Sequence, residues 1–128
     1  MYRPAFNAAV GMARSLDARL TLLYKEPFVD GMFMSPEIYD YIARETSDRK
    51  NVADEWLRAS LEKGVGADLI FDSEPGNVVD AIISRSHERK SDLILMVSQS
   101  DPVSAWIVGS VTRQVIRRAD CAVWSVHV

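Results

Sequence analysis

The chain has 128 residues, 48% hydrophobic and 26% charged, with 15 Lys+Arg against 18 Asp+Glu and a formal charge of −3. That length and balance suit one globular domain with a genuine core, and the acidic total argues against a general nucleic-acid binder. A lone cysteine, Cys121, excludes an internal disulfide and points to a reducing compartment, with a buried inert thiol as its expected state.

No run of about 18 apolar residues offers a membrane span. Met1-Tyr2-Arg3-Pro4 leads into an amphipathic segment rather than a signal peptide, so the expected location is cytoplasmic.

In chain order, Pro4 suits a first helical turn, and Ala5, Phe6, Ala9, Val10, Ala13 and Leu16 recur at three- and four-residue steps as one apolar stripe. RLTLLYK (19–25) is a short apolar strand. Pro27 to Pro36, with Gly31, Phe28, Met32 and Phe33, reads as an excursion loop whose apolar content suggests that it packs or binds something. From Pro36 to about Lys63 the pattern predicts a long helix, with Ile38, Ile42, Val52, Trp56 and Leu61 near its buried side. Ser47-Asp48 is a place where it breaks or is capped again, and Gly64 and Gly66 supply the stop.

Ala67 to Ser73 alternates as a strand, and Pro75-Gly76-Asn77 turns into a third helix carrying Val78, Val79, Ile82 and Ile83. Asp68 and Asp92 sit just before strands, where strand entry explains them. Arg85, His87, Arg89 and Lys90 form a solvated basic helix end.

Leu93 to Val97 is a continuous apolar run of the kind found in strands covered on both faces. Ser98 to Ser104 is a polar loop containing Asp101 and Pro102. Gly109-Ser110 opens a fourth helix with Val111, Val115, Ile116 and Ala119 on its period, and Ala122 to Val128 is the last strand.

The order α-β-α-β-α-β-α-β implies a doubly wound α/β fold in one domain (1–128), with a mostly parallel sheet and right-handed crossovers. A strand-to-helix loop is where such folds place ligands, and the helix N-terminus there favours anions.

Enzyme signals are weak. His87 and His127 are far apart, and neither has a metal-ligand spacing with Cys121. G-x-S-x-G, P-loop and G-x-G-x-x-G patterns are missing. Asp101 is the one carboxylate of the loop that could face a ligand, although a turn before Pro102 also explains it. Trp56 fits a core position, and Trp106 suits either a pocket mouth or a sheet-end cover.

In the last strand Ala122, Trp124, Val126 and Val128 share one face, with Val123, Ser125 and His127 on the other.

The first helix followed by DARLTLLYK, then GNVVDAIISRSHERKSDLILMV, and above all VGSVTRQVIRRADCAVWSV, together resemble the universal stress protein family across nearly the whole chain. The resemblance implies a five-stranded doubly wound fold, a role in stress survival, and a homodimer formed through the C-terminal strand, here Val123, Trp124, Ser125 and Val126. One branch of the family binds ATP with a pattern similar to G-x2-G-x9-G-[ST]. Glycines there let backbone amides approach phosphates.

Laid on this chain, the first glycine falls at Val97 and the second at Ser100. Only Gly109 and Ser110 match, and the intervening loop is one residue shorter. The expectation is therefore a non-catalytic stress-response protein, with neither metal nor cofactor, acting through dimerisation or an unidentified protein partner. The alternative is an ATP- or AMP-binding regulatory module with a remodelled loop. In that case Ser98, Ser100, Gly109, Ser110 and Thr112 are the candidate nucleotide or anion contacts, although a plain helix cap is the favoured reading of Ser110.

The resemblance also implies a central first strand that this sequence lacks. Losing three or four buried apolar side chains at about 1.5–3 kcal/mol each rivals a domain stability of about 5–15 kcal/mol. The expectation is that the reading frame is incomplete at its N-terminus, or that another chain or a rearranged sheet fills the place.

Overall fold

The computed structural model describes residues 3–25, 35–98 and 110–127. Helices and strands alternate as α1 (Arg3–Ser15), β1 (Leu20–Lys25), α2 (Pro36–Glu62), β2 (Ala67–Asp72), α3 (Val78–Arg89), β3 (Leu93–Ser98), α4 (Ser110–Arg118) and β4 (Ala122–His127). This is the predicted order and the α/β class. The excursion loop expected from Pro27 lies outside the described residues but for its last two positions.

The chain divides into two compact units, Val10–Pro75 and Met1–Ala9 with Gly76–Val128. The strands follow that division. β1 pairs in parallel with β2 and β3 in parallel with β4, and among the described residues no ladder joins the two pairs. The strands expected in one four-stranded sheet thus form two parallel ladders.

In the unit Val10–Pro75, α2 starts where Ser35 accepts a hydrogen bond from the Ile38 N–H at 3.3 Å, with Pro36 at the first helical position. The helix then runs unbroken for 27 residues. Ser47 and Asp48, expected to interrupt it, are both exposed, so their side chains face water instead of competing for the backbone.

Its buried side also differs from expectation. Ser60 is fully buried and donates its hydroxyl to the Trp56 carbonyl at 2.8 Å, whereas Leu61 is 52% exposed. Ser60 lies four residues from Trp56 and so on the same face; Leu61, at five, is rotated by roughly 140°. Ile38 is likewise exposed, because it sits in the first turn of the helix. On α1, Phe6, Val10 and Ala13 are buried, but Leu16 follows the last helical residue and is exposed.

The β1–β2 register runs from Leu20↔Ala67 to Lys25↔Asp72. One face carries the stacked rings of Tyr24 and Phe71, 4.8 Å between centroids, under Lys50 of α2, whose Nζ is 5.5 Å from the Phe71 centroid. By strand alternation the opposite face carries Thr21, Leu23 and Lys25 beside Asp68, Ile70 and Asp72. Asp68, expected just before this strand, is its second residue and accepts from the Thr21 hydroxyl at 2.8 Å.

In the other unit, Gly76 has φ +132°, a conformation that favours glycine. Asn77 then caps α3 by accepting from the Asp80 N–H at 2.8 Å. Val79 and Ile83 of α3 and Val115 of α4 form the buried centre, with Ile82, Ile94, Met96, Val111, Ala119 and Val123 packed round it. One face of the β3–β4 ladder therefore rests on α3 and α4. Ile116, expected on the same stripe as Val115, is 53% exposed, because the next residue of a helix turns by about 100°.

Candidate functional site

The predicted anion contacts lie between β3 and α4. Ser98 ends β3 and Ser110 begins α4; Ser100, Gly109, Asp101 and Trp106 lie outside the described residues. Ser110 is exposed and, with Arg113, Gln114 and Arg117, lines a shallow open groove of about 260 Å³. Those positions fall at helical spacing along one face.

Thr112 is buried and lies three residues before Val115, on the core side of the helix. Ser110 and Thr112 are thus about 200° apart round the axis, and the structure does not bring them together. A helical projection of the sequence carries that signal. The groove is cationic. Arg118, next along the helix, is engaged with Asp80 of α3 at 2.8 Å.

Of the predicted interface residues, Val123 packs into the α3–α4 core, whereas Trp124 lies on the opposite face and is 51% exposed. Ser125 and Val126 are half-buried. Trp124 stands in register with Leu95 of β3, and the other edge of β4 has no ladder partner among the described residues.

One polar cluster was missed in the sequence. Lys25 and Asp72, the final register pair of β1 and β2, approach to 3.2 Å with side chains 9% and 4% exposed. Lys25 Nζ also donates to the Glu74 carbonyl, and Asp72 Oδ1 accepts from the Glu74 N–H at 3.0 Å. The cluster ties the turn after β2 to the C-terminal end of β1, the end at which open α/β sheets carry ligands. The visible signal was two six-residue apolar strands, each ending in a charge of opposite sign.

On the other face, the approach of the Tyr24 hydroxyl, first as a hydrogen-bonding group, raises the Arg49 guanidinium above its ordinary range. The contact lacks the geometry of a formed bond, and the buried Tyr24 hydroxyl has no hydrogen-bond partner among the described residues. Arginine is charged at any working pH, so the shift marks proximity and not a switch.

Other reactive groups are dispersed. His87 Nδ1 lies 3.2 Å from Asp120 Oδ2, both exposed, and Cys121 is half-buried. Among the described residues no group of three His, Cys, Asp or Glu side chains could hold a metal, and no helix is long and apolar enough to cross a membrane.

Comparison with known proteins agrees with this architecture. The Universal stress protein family profile matches residues 3–127. A universal stress protein of Staphylococcus aureus (strain USA300) is 35% identical over 128 aligned residues, covering 93% of this chain and 72% of the relative. Among solved structures, universal stress protein UspA from Lactobacillus plantarum superposes with a TM-score of 0.75 at 21% identity, over 97% of this chain and 88% of that one. A universal stress protein in complex with cAMP gives a TM-score of 0.53 at 25% identity, over 97% and 85%. This chain belongs to the universal stress protein family.

Proposed function

We propose that the chain is a single-domain, non-catalytic stress-response protein of the cytoplasm that acts by pairing with a second copy through β4, or with a protein partner, and does not bind ATP in the family's usual way. The observation that carries the pairing is Trp124. Trp124 is half-exposed on a strand whose outer edge has no ladder partner among the described residues, and a paired copy would remove that apolar area from water. The match of one family profile to residues 3–127 supports a single domain.

The ligand part rests on the residues of the β3–α4 segment. Val97 and Ser100 stand where the motif has glycines, and Thr112 is engaged in the core. The competing reading, a nucleotide-binding regulatory module using Ser98, Ser100, Gly109 and Ser110, draws support from the relative solved with cAMP and from the arginine-lined groove beside Ser110.

Sedimentation of the wild-type protein and of Trp124→Glu tests the pairing. The proposal expects a dimer that the variant dissociates while its circular dichroism stays unchanged. A wild-type monomer at high micromolar concentration would remove the pairing.

A further inference from the structure

The face of the β1–β2 ladder that lies under α2 ends in a buried hydroxyl. Tyr24 and Phe71 are register partners one residue before the C-terminal ends of the two strands, and their rings stack at 4.8 Å. The Tyr24 hydroxyl is shut off from water and has no hydrogen-bond partner among the described residues. A buried hydroxyl in that state costs stability until an acceptor reaches it.

The cations beside it supply no acceptor. Arg49 of α2 lies next to the hydroxyl without the geometry of a formed bond. Lys50, the following residue, stands with Nζ 5.5 Å from the Phe71 centroid. Guanidinium and ammonium groups offer donors alone, so Arg49, Lys50 and the phenol O–H converge as donors in want of an acceptor. Glu45 meets Arg49 at 3.8 Å with both side chains half-exposed, a loose pair that water screens. Two cations against that one carboxylate leave a positive excess over the end of the aromatic stack.

We infer that Tyr24, Arg49 and Lys50 form a binding site for a small tetrahedral oxyanion of the phosphate class, with the two cations supplying charge and the phenol O–H a buried donor. The forked guanidinium matches such an anion with two parallel hydrogen bonds. Exclusion of the hydroxyl from water selects for a small ligand, since a bulky one brings no oxygen to it. The site lies at the end of the strands where open α/β sheets carry ligands. It uses α2 and the β1–β2 ladder alone, so it stands or falls separately from any ligand of the β3–α4 segment.

The test is thermal melting of the intact chain in inorganic phosphate and in chloride of equal ionic strength, for wild type, Tyr24→Phe, Arg49→Gln and Arg58→Gln. In chloride, Tyr24→Phe should melt at or above the wild-type temperature, because it deletes an unpaired buried polar atom. In phosphate the order should reverse, with the phosphate affinity of Tyr24→Phe weakened roughly tenfold or more. Arg49→Gln should lose the phosphate response, and Arg58→Gln, exposed on the same helix, should keep it. A parallel titration with glycerol 3-phosphate separates a free anion from a phosphoryl group carried on a small molecule. Either response supports the site when Tyr24→Phe weakens it, and the stronger of the two names the source. Tyr24→Phe destabilised equally in both salts means that water already satisfies the hydroxyl, and overturns the proposal. So does a phosphate response that Arg49→Gln leaves intact, or no response to either compound.

Discussion

Lys25 and Asp72 meet at 3.2 Å at the last register pair of β1 and β2, both nearly excluded from water. Forty-seven residues separate them in sequence, so the pair exists only once the parallel register is set. Burial of two charges is tolerated here because each has further partners: the Glu74 carbonyl accepts a hydrogen bond from Lys25 Nζ, and Asp72 Oδ1 accepts one from the Glu74 N–H.

Removing one partner leaves the other charge buried without compensation. Lys25→Met is expected to destabilise the protein by about 3–5 kcal/mol in urea unfolding, and Lys25→Met with Asp72→Leu should recover most of that loss. A single variant within about 0.5 kcal/mol of wild type would show that the pair is hydrated in solution.

Val115 and Ile116 are neighbours that sequence patterning treats alike. Val115 is fully buried at the centre of the α3–α4 core, whereas Ile116 faces water. Val115→Ala should cost about 1.5–3 kcal/mol, and Ile116→Ala should stay within about 0.5 kcal/mol. Equal effects in denaturant titration would contradict the placement of α4.

The two ends of α3 give opposite expectations. Asn77 supplies the N-cap, and Asn77→Ala should cost about 0.5–2 kcal/mol. Lys90 ends the helix at φ 51°, where a side chain is strained, so Lys90→Gly should stabilise by about 0.5–1 kcal/mol after glycine's entropy is allowed for. Thermal melts of both variants check the pair, and a destabilised Lys90→Gly would show that the lysine side chain supports the cap.

Apolar periodicity made the element order legible, and turn residues marked helix ends, as Gly76-Asn77 and Gly64 illustrate. What periodicity could not resolve was the centre of each buried arc: Leu61 and Ile116 lie just beyond it, and Ser60 lies within it despite its hydroxyl. Burial of that hydroxyl depends on the carbonyl of Trp56 accepting its hydrogen bond, a local solution that hydropathy does not encode.

The candidate site was legible in part. Spacing alone separates Ser110 from Thr112 on the helix, whereas the Lys25–Asp72 cluster required pairing of strands remote in sequence. The division of four strands into two ladders was not visible in any local pattern, since β3 carries the composition of an interior strand.

We propose that this universal stress protein works without binding ATP in the family's usual way. The most direct measurement is the melting temperature of the intact chain titrated with ATP and with AMP, each with and without magnesium. No shift is expected at millimolar nucleotide. A saturable shift rising toward roughly 2.7 kcal/mol of added stability at about 100 times the dissociation constant would contradict it and establish the nucleotide-binding module instead.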